Sequence, residues 1–234
     1  VAVLPGSDPA LRDEYVVLSA HFDHVGVGAP NAAGDSIYNG ADDDASGTSV
    51  IVEVARALAG LERRPARSVV VLAVSGEEKG LVGSRWFGEH PTLPMERVVA
   101  NVNIDMVGRN EPGSVVAIGE EYTSMGPLAH RIAAEPSLGL AITPDPSPEE
   151  QFFFRSDHIA FLKRDVPAIF FTTLPHADYH APSDEVEKID ADKTARIARL
   201  VFLLTHAVAD SPQRPTWQGD GLAQVRRMLE RSPF

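Results

Sequence analysis

Apolar, largely β-branched runs recur along the chain at residues 15–20, 68–75, 98–104, 115–118 and 166–172. Each is four to eight residues long, the length of a buried strand and too short for a helix. Between them the period lengthens. Val50, Ile51, Val54, Ala55 and Leu58 mark one face of a helix that Gly60 can end, and Ile197, Leu200, Val201, Leu204 and Val208 mark another. This alternation predicts an α/β/α sandwich around a mixed, mostly parallel sheet. Residues 143–150, with Pro144, Pro146 and Pro148, read as a loop; residues 211–220, with Pro212 and Pro215, read as a linker before a short terminal helix. The expected division is one domain over residues 1–210 and a C-terminal extension over 211–234. Between about 119 and 164 the pattern favours no element strongly.

Polar positions follow the strands in a regular way. His21 and Asp23 come just after the first, Glu77 and Glu78 after the second, and Asp105 ends the third. Ligands of open α/β sheets bind beyond the carboxyl ends of the strands, so these groups are predicted to converge on one edge.

Composition narrows the partners. With 234 residues, 44% of them hydrophobic, the chain can bury one sizeable core, and no internal repeat divides it. The formal charge of −12 comes without a basic run, which argues against nucleic acid or an anionic membrane and leaves the acids free to serve cations. The absence of cysteine excludes disulfides and thiolate metal sites. Neither a transmembrane run nor a signal peptide is present, and the opening Val-Ala-Val-Leu-Pro-Gly reads as the interior of a domain, so a trimmed or processed chain is expected.

The densest charge is Asp42-Asp43-Asp44, directly before the first helical pattern and with no Lys or Arg nearby in sequence. Adjacent carboxylates resist desolvation, so a solvated turn, a helix N-terminus or a bound cation must accommodate them. His21 and Asp23 are two apart, face one side of an extended segment, and suit an imidazole ligand steadied by a carboxylate; a structural pair is the alternative, and His24 reads as a neighbour. Glu77 and Glu78 sit on a tight turn where one can bind a metal and the other face a water as general base, or both can serve a helix N-terminus. Asp105 follows an apolar strand, where a charge needs a partner, although it can also cap a turn. His176, Asp178, Tyr179, His180 and Asp184 follow the last strand, and spacing alone does not choose between the histidines. His90, His130 and His206 lie in ordinary contexts. Imidazole with carboxylate and no thiolate suits zinc or a related divalent ion.

Together the motifs Ala-His21-Phe-Asp23, Gly40-Ala-Asp-Asp43-Asp-Ala-Ser-Gly, Gly76-Glu77-Glu78, Asn103-Ile-Asp105-Met and Tyr179-His180-x-x-x-Asp184 resemble, in order, the di-zinc metallopeptidases of family twenty-eight, which include bacterial aminopeptidases and glutamate carboxypeptidases. The resemblance runs from about residue 5 to about 208. It implies a zinc-dependent exopeptidase fold with two Zn2+ ions, or Co2+ or Mn2+ in their place: His21 and Asp105 on one, Glu78 and His180 on the other, Asp43 bridging. It further implies Glu77 as general base, Asp23 as partner of His21, a cis peptide between Asp43 and Asp44, a peptide substrate, and a periplasmic or extracellular location. Tyr179 is a candidate hydrogen-bond donor to the oxyanion, with packing as its alternative. Phe153, Arg155, Asp157 and His158, in Gln-Phe-Phe-Phe-Arg-Ser-Asp-His, are candidates for the substrate wall, the phenylalanines serving a pocket or the core. An aminopeptidase is the leading expectation. A carboxypeptidase would need Arg155, Arg109 or Lys163 to hold a carboxylate. A glutaminyl-cyclase-like acyltransferase with one zinc, or a receptor-like relative with none, would follow from a degenerate site.

Overall fold

The computed structural model describes residues 1–231. In chain order the strands are β1 (Ala2–Leu4), β2 (Tyr15–His21), β3 (Gly26–Val27), β4 (Ile37–Tyr38), β5 (Ser68–Val74), β6 (Val98–Ile104), β7 (Ser114–Ile118), β8 (Ala141–Thr143) and β9 (Ala168–Thr172). Seven of them form one mixed sheet in the spatial order β1-β5-β2-β6-β9-β7-β8, while β3 and β4 make a small separate hairpin. The central strands β5, β2, β6 and β9 run parallel; β1 and β7 run against their neighbours β5 and β9.

Both faces of this sheet are covered, which is why its central strands read as near-continuous apolar runs. Val16, Leu18 and Ala20 of β2 face a core shared with α1 (Gly47–Ala59), α3 (Met125–Ala133) and α5 (Ala191–Asp210). The intervening Val17 faces the other side, where Phe87 of α2 (Val82–Glu89) meets Phe161 of α4 (Ile159–Leu162). The helical residues that predicted α1 and α5 meet in the first core, so the long-period pattern marks the faces that pack. Asp190 caps α5 by accepting from the Lys193 N–H at 2.9 Å. After α5, the chain returns across the body: Arg214 pairs with Glu14, and Val225 of α6 (Gly221–Glu230) is buried against Leu162 and Ala168.

Several elements depart from the sequence expectation. The strand expected from residue 166 begins at Ala168, because Pro167 has no N–H to give a ladder; its carbonyl still accepts from Asn101. Three short pieces, β1, β8 and the β3–β4 hairpin, were not expected, since two or three residues give no period. Gly60 ends α1 with a φ of −81°, so it uses no left-handed turn. No described helix is long and apolar enough to cross a membrane.

Candidate metal centre

The carboxyl ends of β2, β5, β6 and β9 bring the separate motifs to one edge. His21 is the last residue of β2, Asp105 follows β6, and Glu77 and Glu78 lie on the turn after β5. A file of buried hydrogen bonds supports this edge from below: Ser19 donates to Asn103, Asn103 to Ser156 Oγ, and Ser156 to Asp105 Oδ2, at 2.6, 2.7 and 2.8 Å. Such satisfied networks fix a charged group in a single orientation.

The three aspartates divide the work. Asp42 Oδ1 accepts from the Gly108 N–H at 2.6 Å. Asp44 accepts from the N–H groups of His21, Gly47 and Met106 at 3.2, 2.9 and 3.2 Å, knitting β2, the start of α1 and the segment after β6. Through Gly47, the first residue of α1, its side chain also meets the positive end of that helix. Asp43 turns toward His21 and His180, and its peptide bond to Asp44 is cis. Its Oδ1 lies 3.2 Å from His21 Nε2 and its Oδ2 lies 3.2 Å from His180 Nε2.

His21 is oriented by its neighbour in an unexpected way. Its Nδ1 is 3.1 Å from the Asp23 backbone carbonyl and 3.8 Å from the Asp23 carboxylate. A proton on Nδ1 directed at the carbonyl leaves the Nε2 lone pair for the cluster. The Asp23 carboxylate instead accepts from the Gly76 N–H at 2.7 Å, and so anchors the turn that carries Glu77 and Glu78.

The last ligand-bearing segment, after β9, is held by acids that touch no histidine of the cluster. Asp184 is fully buried and accepts from the N–H groups of Asp42 and Asp43 at 3.0 and 3.2 Å. Asp178 accepts from Arg109, Ser183 and Lys188 at 2.9, 2.6 and 2.7 Å, while Arg109 Nη1 stands 4.0 Å from Asp184. Of the alternative histidines, His180 reaches the cluster and His176 lies beside Asp42, at 3.3 Å. Tyr179 stacks on the His180 ring with centroids 3.8 Å apart.

These donors fit a metal. Ligand atoms about 2.1 Å from a tetrahedral zinc are about 3.4 Å from one another. His21 Nε2 lies 3.2 and 3.5 Å from Asp43 and Asp105, and His180 Nε2 lies 3.2 and 2.9 Å from Asp43 and Glu78. Despite these approaches, His21 Nε2, Asp43 Oδ2 and Glu78 Oε1 are buried without a completed hydrogen bond, an arrangement that is costly unless a cation lies among them. The crowding of these groups also shifts their protons. Burial opposes charge on both His21 and Asp43, yet Asp105, with Asp43, raises the His21 imidazole well above its ordinary range, and His180, with His21, holds the Asp43 carboxylate well below its own. Contacts with Asp43 and Glu78 bring His180 up to about 9. Burial first, and then the Asp105 charge, push Glu77 up to about 9.

Beside the cluster lies a cavity of about 30 Å³ lined by Asp43, Glu77, Asp105, Phe152, Arg155 and Tyr179, among others. Phe152, Arg155 and Tyr179 also line a cleft of about 680 Å³ next to it. Of the three consecutive phenylalanines, Phe152 is the one that lines the cavity at the acids, together with Phe170 from β9. Phe153 packs instead against Tyr122, Phe154 and His158. Asp157 and His158 are fully enclosed behind the wall, where burial lifts the Asp157 carboxyl to about 6 and drives the His158 imidazole, stacked on Phe170, down to about 3. Of the three cations considered for a substrate carboxylate, Arg155 lines the cavity and Arg109 is engaged by Asp178. The residue that sequence reasoning set aside is His24: its Nδ1 comes within 2.8 Å of Glu78 Oε1. A second histidine three residues after His21 was the signal.

A profile of peptidase family M28 matches residues 1–205. Among curated proteins, a probable zinc metalloprotease of Pyrenophora tritici-repentis is 26% identical over 244 aligned positions, covering 85% of this chain and 49% of that protein. A probable leucine aminopeptidase of Arthroderma benhamiae is 27% identical over 221, covering 89% and 57%. The chain thus spans about half the length of the curated relatives it matches. In fold it is similar to BSAP, a zinc aminopeptidase from Bacillus subtilis, with a TM-score of 0.70 at 21% identity over 90% of this chain and 50% of that one. It is also similar to a Porphyromonas gingivalis glutaminyl cyclase, with a TM-score of 0.65 at 20% identity over 82% of this chain and 73% of that one. Since the family profile extends from the first residue through most of α5 and takes in every strand end described above, the chain belongs to peptidase family M28.

Proposed function

We propose that this chain is the catalytic part of a zinc-dependent exopeptidase that binds two metal ions and removes residues from the N-terminus of peptides. The observation that carries the reading is Asp43: its two oxygens face two different imidazoles at the same 3.2 Å, as a carboxylate bridging two cations requires. His21 and Asp105 would hold one ion, Glu78 and His180 the other. Zinc suits these nitrogen and oxygen donors, and cobalt or manganese would fit the same set.

Bound zinc supplies Lewis acidity, polarising a scissile carbonyl and acidifying a water. Glu77 lines the cavity without being needed as a ligand, so its carboxylate is the group to take the water's proton and return it to the leaving amine nitrogen. A neighbouring cation lowers a carboxyl pKa, which brings Glu77 from its raised value toward the operating range of a base. Tyr179 would offer its hydroxyl to the carbonyl oxygen as negative charge develops there. Phe152 and Arg155 would flank the side chain next to the cut bond, and the acid-rich edge suits a substrate's free α-amine. Location outside the cytoplasm belongs to the same reading.

Arg155 favours one rival, a carboxypeptidase, because its guanidinium lines the cavity and its acidic partner Glu150 is a weak, solvent-exposed one at 3.3 Å. Hydrolysis of an aminoacyl anilide, its N-blocked form and an N-blocked peptide with a free carboxylate separates the two. Cleavage of the free-amine anilide alone is the expected result. Cleavage confined to N-blocked substrates would reject the aminopeptidase reading, and a single bound zinc with acyl transfer would favour a cyclase.

A further inference from the structure

At the second metal position three donors have been named, Asp43, Glu78 and His180, yet a fourth side chain reaches two of them. His24 Nδ1 lies 2.8 Å from Glu78 Oε1 and 3.8 Å from Asp43 Oδ2. His24, Asp43 and Glu78 together present three ligand atoms within 4.8 Å of one another. The imidazole side chain is 5% exposed, and neither ring nitrogen completes a hydrogen bond. A buried imidazole pressed against two carboxylates, with its nitrogen out of line for a hydrogen bond to either, is directed at something between them.

The backbone makes room for this ring. Gly40 has a φ of +64°, and a Cβ there would fall 2.5 Å from His24 Cγ and 2.7 Å from His24 Cβ. Only glycine lets the turn that delivers Asp43 pass this close to the imidazole, so the turn and the ring are fitted to each other. His24 also meets the His180 ring edge-on, with centroids 5.6 Å apart, so the two histidines approach Glu78 from different directions: His180 at Oε2, His24 at Oε1.

We propose that His24 is itself a metal ligand, through Nδ1, at the position formed by Asp43, Glu78 and His180. This rests on the two-metal reading above and adds an asymmetry to it. The second position has four protein donors, the number of a closed tetrahedral site, while the first has His21, Asp43 and Asp105 and keeps a place open. The second ion is then the more tightly held of the two. The first position is the one with room for a small ligand, and it is also the one whose Asp105 shares the cavity with Glu77.

The test compares wild type, His24→Ala and His24→Asn as metal-free protein titrated with zinc against a chromophoric chelator. Cobalt(II) absorption serves as a report on coordination, and far-ultraviolet circular dichroism of the metal-free forms confirms folding. Asparagine can give Glu78 a hydrogen bond from about where Nδ1 stood, but it is a poor zinc ligand. A ligand role requires both variants to weaken one equivalent by more than about 100-fold, beyond the effect usual for a partner that merely steadies a ligand. The other equivalent should be unchanged, and one of the two cobalt signatures should alter. Near-wild-type affinity in His24→Asn would overturn the assignment and make His24 a positioning residue for Glu78. Unchanged affinity and cobalt spectrum in His24→Ala would also overturn it. Fewer than two equivalents in the wild type would overturn the two-metal reading itself, before any variant is compared.

Discussion

Asp184 offers the sharpest test of how this site is built, because it touches neither metal position and yet governs both. Its carboxylate is fully buried and accepts the backbone N–H groups of Asp42 and Asp43, and so steadies the carboxylate proposed to bridge the two ions. Substituting Asp184→Ala leaves those two donors without an acceptor, each at about 1–3 kcal/mol, for a loss of about 2–6 kcal/mol in the metal-free protein. Arg109, 4.0 Å away, also loses one of its two acids but keeps Asp178. Oδ2 alone accepts from both N–H groups, so Asp184→Asn, with its amide oxygen in that place, can keep both bonds and should lose clearly less than Asp184→Ala. Urea unfolding of the metal-free protein, followed by circular dichroism, measures the difference directly. A parallel zinc titration should show weakened binding of both equivalents, since Asp43 serves both. A change in stability below about 0.5 kcal/mol in Asp184→Ala, the range of an ordinary surface substitution, would refute the reasoning.

Glu77→Gln should keep both zinc equivalents and lose about 10²–10⁴-fold in kcat, the usual contribution of a general base; near-normal turnover in steady-state assays would remove that role. Arg155→Leu should leave an aminoacyl anilide, which has no carboxylate, within a few-fold of wild type, whereas losing a charged hydrogen bond to substrate would reduce hydrolysis about 10–100-fold. His158 gives a pH prediction for the metal-free protein. Its folded pKa of about 3 is below the ordinary value, so between about pH 6.5 and 3 the unfolded chain binds the extra proton and stability falls with acidification. Asp157, raised to about 6, acts in the opposite sense between about pH 6 and 4 and masks this in the wild type. His158→Phe, which keeps the ring stack on Phe170, removes the histidine term alone, so its stability relative to wild type should rise by about 3 kcal/mol from pH 7 to pH 4. A flat difference across that range in urea melts would contradict a buried neutral His158.

Much of this arrangement was legible because burial and chemistry leave different marks. Strands β2, β5, β6 and β9 are covered on both sides and therefore appear as apolar runs, and the polar residue ending each run lands on the active edge. Strands β1 and β8 carry three residues each and take their definition from a neighbour, which no local pattern reveals. In the site, His21, Asp43, Asp105, Glu78 and His180 lie within a few ångströms of one another, because each ends or follows a strand or starts a helix at the same edge. The separate tasks of Asp42 and Asp44 were hidden, because three identical side chains differ only in which backbone N–H groups they meet. Likewise Phe152 and Phe153 are indistinguishable in sequence; the short turn that carries them buries Phe152 at the cavity and leaves Phe153 half-buried against Tyr122, Phe154 and His158. Asp23 was read as the imidazole's partner through its carboxylate, but its backbone carbonyl comes nearer, and carbonyls are common to every residue.

The central claim is that Asp43 bridges two ions that peptide hydrolysis requires. Zinc-free protein, titrated with zinc while aminoacyl anilide hydrolysis and bound metal are followed together, tests it most directly. The expected result is two equivalents bound per chain, no activity without metal, and loss of both equivalents together with activity in Asp43→Ala. Full activity after complete metal removal, or wild-type stoichiometry in Asp43→Ala, would contradict it.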